Sequence, residues 1–301
     1  MRRQPIVAAI FWHAVASSAP AFALEASVFV ARPGVVQVLR DLNGDGDFFD
    51  FAEIRPYAES LPSSAAALVR ENDQLFLLAN SPPRILLLAD HNDDGDALDF
   101  AEVVEYASLI AQAPTIVGLA IRGDAEILTT DPVNGVMLRV HDLNEDGDAF
   151  DTDEVIAIAG GLTAPTALAV RPDGRVLVAQ NSAPVPVRIL HDREGDGDFF
   201  DFAENLSYAE NLVPGRHILS RTDHLAFVTR PMLDEIGLLD DRTGDGDALD
   251  FAEFGLYAEN LAAPTAIASL EGDLLVATSD GLIYRLRDVN GDGDALDFGE
   301  A

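Results

Sequence analysis

The sequence predicts an all-β protein, a six-bladed β-propeller made of four-stranded repeats of about fifty residues. Three observations lead to this prediction. An acidic string of thirteen residues occurs six times, its central glycines are 49, 52, 50, 49 and 47 residues apart, and each interval contains four short apolar or alternating segments. No interval has a convincing amphipathic helical pattern, because the best candidate, 101–110, aligns with a strand of the other repeats. A sandwich would not require a repeat, and a β-helix would require a much shorter one.

The interval before the fourth acidic string shows the predicted unit most clearly. The first strand covers 164–170 and the second covers 175–180, with the turn signal Arg171-Pro-Asp-Gly174 between them. The third strand covers 187–190 and leads directly into the acidic string, and the fourth strand covers 206–209 after it. Each acidic string is therefore expected to connect the third strand of a blade to the fourth.

Short motifs recur at the two ends of the units. Units open with Ala113-Pro-Thr115, Ala164-Pro-Thr166 and Ala263-Pro-Thr265, and fourth strands carry Tyr57-Ala-Glu59, Tyr208-Ala-Glu210 and Tyr257-Ala-Glu259. No linker or change of composition follows Ala23, so residues 24–301 are expected to form one domain.

The first and sixth units lack a strand in the sequence. After residue 23 the chain begins with a second strand near 27–31, and no fourth strand follows the sixth acidic string before Ala301. We therefore expect six blade positions in which two three-stranded blades meet at a seam between the termini. The exposed strand edge there would allow self-association or completion by a partner, and the alternative is that this sequence is a truncated form of a longer one.

The first 23 residues are predicted to be a signal peptide. Arg2 and Arg3 precede an apolar run over 6–16, and Ala21-Phe-Ala23 offers small residues for cleavage after Ala23. The run is too short to span a bilayer securely, so no membrane span is expected. A buried first strand is the alternative. Export predicts a secreted or periplasmic location, and the absence of cysteine means that no disulfides stabilise the protein there.

The negative charge of the chain is concentrated in the acidic strings. They contain 34 of the 52 acidic residues, whereas the rest of the chain is close to neutral in a protein of formal net charge −33. A salt-adapted surface would spread its acids more evenly, although salt adaptation would fit the fact that all basic residues are arginine. A chain this acidic is not expected to bind nucleic acid.

The strings share the frame D-x-N-x-D-G-D-x-x-D-x-x-E, whose positions we number 1 to 13, and they cover 41–53, 90–102, 142–154, 192–204, 241–253 and 288–300. Carboxylate and amide oxygens at positions 1, 3 and 5, followed by a glycine, suit a hard cation with many oxygen ligands, which indicates Ca²⁺ over Mg²⁺. The candidate ligands are Asp41, Asn43, Asp45, Asp47, Asp50, Glu53; Asp90, Asn92, Asp94, Asp96, Asp99, Glu102; Asp142, Asn144, Asp146, Asp148, Asp151, Glu154; Asp192, Glu194, Asp196, Asp198, Asp201, Glu204; Asp241, Thr243, Asp245, Asp247, Asp250, Glu253; and Asp288, Asn290, Asp292, Asp294, Asp297, Glu300.

Over its first seven positions the string resembles an EF-hand calcium loop. This resemblance implies side-chain ligands at positions 1, 3 and 5, a carbonyl ligand at position 7, and about six Ca²⁺ ions per chain. The string departs from an EF-hand after position 7, because its next acids stand at positions 10 and 13 and strands flank it. Either acid is a candidate for closing the metal shell, and the position 7 side chain is a further candidate ligand. Thr243 makes the fifth site the weakest expected, and positions 8 and 9 are expected to pack between blades.

The blade opening Ala164-Pro-Thr-Ala-Leu-Ala-Val-Arg-Pro-Asp-Gly174 is similar to that of NHL-like, gluconolactonase-like and quinone-dependent sugar dehydrogenase-like propellers. The enzymes of these groups place metal ligands or a catalytic histidine in the central channel. His217 and His224 lie near the channel in the predicted fold, but no catalytic set is evident. We therefore expect a non-enzymatic recognition or structural module with a protein or carbohydrate ligand. A lactonase-like or phosphotriesterase-like hydrolase or a sugar dehydrogenase is the alternative, and the channel residues distinguish the two.

Overall fold

The computed structural model describes residues 27–299 apart from 46, 49, 72, 73, 124, 183, 251 and 298. The predicted signal peptide and Glu300 lie outside the described residues. Within them the chain forms antiparallel sheets arranged as a six-bladed propeller, and it contains no helix. The predicted fold class is therefore confirmed.

The strands follow one another around the ring in chain order. They are β1 (Ser27–Arg32), β2 (Val35–Arg40), β3 (Ile54–Glu59), β4 (Ala65–Glu71), β5 (Gln74–Ala79), β6 (Arg84–Ala89), β7 (Val103–Ser108), β8 (Val117–Arg122), β9 (Glu126–Asp131), β10 (Val136–Val140), β11 (Val155–Ala159), β12 (Pro165–Val170), β13 (Val176–Gln180), β14 (Val187–Leu190), β15 (Asn205–Ala209), β16 (Ile218–Ser220), β17 (Leu225–Arg230), β18 (Glu235–Asp240), β19 (Phe254–Ala258), β20 (Pro264–Leu270), β21 (Asp273–Thr278) and β22 (Ile283–Leu286).

Four blades have four strands and two have three. The four-stranded blades are β4–β7, β8–β11, β12–β15 and β16–β19, and the three-stranded blades are β1–β3 and β20–β22. In the described part of the chain, the first blade lacks the strand that would precede β1, and the sixth lacks the strand that would follow β22. Both predicted gaps of the seam are thus confirmed.

The hydrophobic core lies between the blades. One cluster joins Phe29 and Val36 of the first blade to Leu68, Leu75 and Leu88 of the second. Because each middle strand packs against a neighbouring blade on both faces, most of its residues are buried, as in β13 and β21, where every residue is buried. The same kind of cluster joins the first blade to the sixth, so the ring closes in its inner layer.

The fourth strands share a bulge that buries two consecutive residues. In β3, Ala58 pairs with Val36 and Pro56 pairs with Gln37, so that the register skips Tyr57. Tyr57 and Ala58 are both buried, although the preceding residues of β3 are exposed. The same shift occurs in the other four third-to-fourth strand pairs. The bulge explains why a Tyr-Ala pair marks this strand in the sequence.

Candidate metal-binding loops and central channel

The acidic strings form loops between the third and fourth strands, as predicted, and each folds around its first aspartate. In the second loop, Asp90 accepts hydrogen bonds from the N–H of Asp94 at 3.2 Å and of Gly95 at 2.8 Å. Gly95 has a φ of 98°, and the position 6 glycines of the four later loops have φ between 92° and 102°. Only glycine adopts this backbone conformation without strain, which explains the invariant residue of the frame.

The side chains at positions 3, 5 and 10 converge on one point. In the second loop, Nδ2 of Asn92 lies 3.1 Å from Oδ2 of Asp94 and 2.7 Å from Oδ2 of Asp99. The same pair of contacts recurs where position 3 is Asn43, Asn144 or Asn290. The amide donates to two carboxylates at once, so this point attracts positive charge. We call the group of side chains at positions 3, 5 and 10 the oxygen cluster, and position 10 is therefore part of the candidate metal site.

The position 13 glutamate lies beneath the loop and holds its two ends together. Glu154 is 1% exposed, and its Oε1 and Oε2 accept hydrogen bonds from the N–H groups of Leu143 at 2.9 Å and Asp151 at 2.8 Å. Equivalent bridges occur at the glutamates of the first, second, fourth and fifth loops. Burial raises the pKa of Glu253, but the N–H groups of Thr243, Asp250 and Arg242 outweigh it and lower the pKa overall. This glutamate is therefore an ionised brace of the loop.

The fourth and fifth loops bring carboxylates together without an asparagine. Oxygens of Glu194, Asp201 and Glu204 lie within 4.8 Å of one another, and a second such group is formed by Asp245, Asp247 and Glu253. Burial, together with the charges of Asp201, Glu204 and Asp196, raises the pKa of Glu194. Such crowding favours a bound cation, and in these loops position 13 faces the same space.

The side chain of the position 7 aspartate accepts a hydrogen bond from the backbone N–H of position 9. Oδ1 of Asp96 accepts the N–H of Leu98 at 3.0 Å, and the equivalent bond forms in the four later loops. This contact holds the turn and leaves the second carboxylate oxygen available. A direct or water-mediated metal contact of this side chain stays a prediction.

Position 8 ties each of the five later loops to the preceding blade. The N–H of Ala97 donates to the carbonyl of Tyr57 at 2.6 Å. The same bond joins Ala149 to Tyr106, Phe199 to Ile158, Ala248 to Tyr208 and Ala295 to Tyr257, at 2.7, 2.7, 2.8 and 2.8 Å. We call this bond the inter-blade tie. Each of these five loops thus lies at the joint between two blades.

The expectation that both positions 8 and 9 pack between blades was wrong for position 9. Position 8 is buried in the five later loops, with exposures of 1% to 5%. Position 9 is 42% to 57% exposed at Leu98, Phe150, Phe200, Leu249 and Leu296. Successive side chains of an extended segment point in opposite directions, so only one of the two faces the neighbouring blade.

The inner strands surround a central channel with a cavity of about 510 Å³. Its charged or titratable lining residues within the described part are Arg70, Arg171, Arg221 and His217, and no carboxylate or asparagine lines it. Burial and the neighbouring Arg216 lower the pKa of His217 to about 4, so this histidine is neutral at physiological pH. His224 lies on an exposed turn outside the channel lining.

Sequence reasoning missed a set of arginines at the ends of the inner strands. Their guanidinium carbons lie 4.9 to 5.9 Å from the centroids of aromatic rings. The pairs are Arg70 with Phe29, Arg122 with Phe199, Arg171 with Tyr208 and Arg221 with Phe227. The signal was present, because one arginine follows the apolar part of the first strand in four successive repeats. Arg70 and Arg122 thus contact a ring of a neighbouring blade, whereas Arg171 and Arg221 contact a ring of their own blade, and all four contacts are stabilising cation–π interactions.

No family model and no curated protein matches the chain. Many solved structures match it as a fold. Within the described residues there is no helix long and apolar enough to cross a membrane.

Three of the matching structures have different roles. A gluconolactonase from Xanthomonas campestris has 14% identity and a TM-score of 0.58, and the match covers 86% of this chain and 81% of that chain. The calcium-binding protein regucalcin from Agrobacterium tumefaciens has 12% identity and a TM-score of 0.58, with coverages of 85% and 78%. An aldose sugar dehydrogenase from Streptomyces coelicolor in its PQQ-bound form has 13% identity and a TM-score of 0.56, with coverages of 91% and 88%. At these identities the likeness shows the propeller fold, and the function has to be argued from the loops and the channel.

Proposed function

We propose that this protein is an exported calcium-binding propeller that acts as a non-enzymatic recognition or structural module. Ca²⁺ binds in the acidic loops and stabilises the joints between blades. The observation that carries this proposal is the position of the loops. In five of the six loops an inter-blade tie lies at position 8, between the cluster residues at positions 5 and 10, so an ion that orders the loop also fixes the neighbouring blade.

The residues fit a calcium ion by their chemistry. The loops offer carboxylate oxygens at positions 1, 5, 10 and 13. In the loops with asparagine at position 3, the amide nitrogen faces the position 5 and 10 carboxylates, so the amide has to turn to give its oxygen to Ca²⁺. Bound Ca²⁺ would supply charge neutralisation. Six ions would add +12 to the formal charge of −33 and leave about −21. The loaded protein is therefore expected to remain strongly acidic and soluble.

The residues that line the central channel favour a recognition or structural module over an enzyme. A hydrolase or sugar dehydrogenase of this fold would need several acids, asparagines or histidines that converge on a substrate. The described channel lining offers one neutral histidine and three arginines within largely apolar walls. This lining suits contact with a protein or carbohydrate ligand better than acid–base chemistry.

Metal content measured by elemental analysis tests the proposal. The desalted full chain, equilibrated in dilute Ca²⁺, is expected to retain about six ions, with Mg²⁺ as the matched control. Asp99→Asn should remove about one ion, whereas Glu105→Gln, an exposed change on β7 of the same blade, should remove none. Retention of one ion or none by the wild-type chain would refute calcium binding in the loops.

A further inference from the structure

The central channel carries positive charge at one mouth. The inner strands β4, β8, β12 and β16 lie side by side around the channel and run in the same direction, because each opens its blade. An arginine stands at or next to the end of each strand, so the same mouth is surrounded by Arg70, Arg122, Arg171 and Arg221. His217, which precedes β16 at the other end, is neutral at physiological pH.

Three of these arginines face the channel, and one is already neutralised. Nε and Nη2 of Arg122 donate to the carboxylate of Glu126 at 3.0 and 2.8 Å, and Arg122 does not line the cavity. The other three do line it. In the described part of the chain Arg221 contacts no carboxylate: its Nη2 donates to the carbonyl of Gly272 at 2.6 Å, and its Nε is buried without a partner.

Arg171 adds an excess of positive charge within the wall of the channel. It is 4% exposed, and its Nε and Nη1 have no hydrogen-bond partner among the described residues. Its Nη2 lies 3.3 Å from the carboxylate of Asp173, but that carboxylate also lies 3.4 Å from Arg175. One negative charge is therefore shared by two guanidinium groups. Because little water reaches this place, the remaining positive charge attracts an anion strongly.

The interior of the channel is apolar. Its cavity of about 510 Å³ has no carboxylate in its described lining, and hydrocarbon side chains from five blades form its walls, among them Leu68, Leu119, Ile121, Leu168, Leu219 and Ile267. The hydroxyls of Ser220 and Ser269 lie near the arginine mouth and donate to backbone carbonyls at 3.1 and 3.4 Å. The lining run 168–172 spans about 13 Å, which is about the length of an extended ten-carbon chain.

We propose that the channel binds an amphiphilic monocarboxylate, the anion of a medium-chain fatty acid, with its carboxylate at the mouth formed by Arg70 and Arg221 and its hydrocarbon chain along the apolar walls. The guanidinium groups supply charge-assisted hydrogen bonds, and Arg171 adds its charge from the wall. Burial of the hydrocarbon draws the chain into the channel. The proposal goes beyond the function proposed above, because it gives the interior of the channel a small ligand of its own.

Isothermal titration calorimetry of decanoate tests the channel in the full chain, which is loaded with calcium and then desalted. Decyltrimethylammonium is the matched control, because it has the same hydrocarbon chain and the opposite charge. The formal net charge of −33 favours the ammonium, so a preference of at least tenfold for decanoate is expected only if the arginine mouth binds the ligand. Octanoate should bind about fifteenfold more weakly than decanoate, because each buried CH₂ contributes about fourfold.

Three variants locate the site. Arg221→Gln should weaken decanoate binding at least tenfold, whereas Arg55→Gln, which removes the same charge at an exposed residue of β3 outside the channel, should change it less than twofold. Ala169→Trp fills the channel and should also weaken binding at least tenfold. Circular dichroism checks that each variant is folded.

The comparison of ligands on the wild-type chain stays decisive if a channel variant does not fold. No saturable binding of decanoate, equal or tighter binding of the ammonium, or equal affinities for octanoate and decanoate would overturn the proposal. Unchanged affinity in folded Arg221→Gln would overturn it as well. The calcium content of the same samples distinguishes these failures from failure of the proposed function.

Discussion

Glutamine in place of Glu154 tests whether the position 13 glutamate braces its loop. Both carboxylate oxygens accept a backbone N–H, at 2.9 and 2.8 Å, and the side chain is 1% exposed. Glu154→Gln keeps one acceptor, puts an NH₂ group against the other N–H, and removes the charge that strengthens both bonds. A hydrogen bond to a charged group contributes about 1.5–3 kcal/mol, and a buried unsatisfied donor costs about 1–3 kcal/mol. We therefore expect a loss of about 2–4 kcal/mol in the free energy of unfolding.

The assay is urea unfolding followed by circular dichroism, with calcium chelated so that the loss of a metal ligand does not contribute. Glu105→Gln is the matched control, because Glu105 is exposed and its ion pair with Arg84 lies at the surface, where such pairs contribute little. With calcium added, the gap between the two variants should widen. Equal midpoints for Glu154→Gln and Glu105→Gln without calcium would refute the brace.

Three further predictions follow from the loops and from the sixth blade. Chelation should lower the melting temperature strongly, because each site adds about 2.7 kcal/mol at a hundredfold excess of Ca²⁺ over its Kd; calorimetry with and without chelator measures this, and an unchanged melting temperature would contradict it. Asp50→Asn and Glu53→Gln, compared by calcium titration, should each weaken one site of the six, and no loss from either would mean that the ligand positions are wrong. Although burial raises the pKa of Asp273, hydrogen bonds from Arg287 and Arg285 lower it overall, so Asp273→Asn should cost about 1–2 kcal/mol at pH 7. That cost should begin to shrink as the pH falls below the ordinary carboxyl range of about 4 and should disappear below the depressed pKa of Asp273, and a cost that does not shrink with falling pH in urea unfolding would refute the ionic origin.

The repeat made most of the fold predictable from the sequence. The third strand over 187–190 was predicted with its observed bounds, because an apolar run there meets an acidic string whose start is unambiguous. The seam was predicted by counting the strands of each unit, because the first unit starts with a second strand near Ser27 and no fourth strand follows the sixth acidic string before Ala301. Strand order therefore needed only the period and the turns.

The contacts between repeats could not be predicted in the same way. The tie from Ala97 to the carbonyl of Tyr57 joins two backbone groups, which leave no mark in side-chain identity. The brace role of Glu154 was also hidden, because a glutamate that binds backbone N–H groups and one that binds a metal look alike in sequence. The exposure of Phe150 could not be predicted either, because it depends on which of the two neighbouring side chains, Ala149 or Phe150, points toward the next blade. Each of these features depends on the orientation of a side chain or a backbone group, which composition and residue spacing do not determine.

The inter-blade tie has a mechanical consequence. A closed six-membered ring has six joints, and five of them carry a tie from a loop to the preceding blade. At the sixth joint the described residues of the first and sixth blades make core contacts but no such tie, so it is the weakest joint among the described residues. Under load or heat, opening should start there and pass from blade to blade in both directions, as in other arrays whose units contact only their neighbours. The most stable blades should therefore be the third and fourth, which lie farthest from the joint between the sixth and first blades.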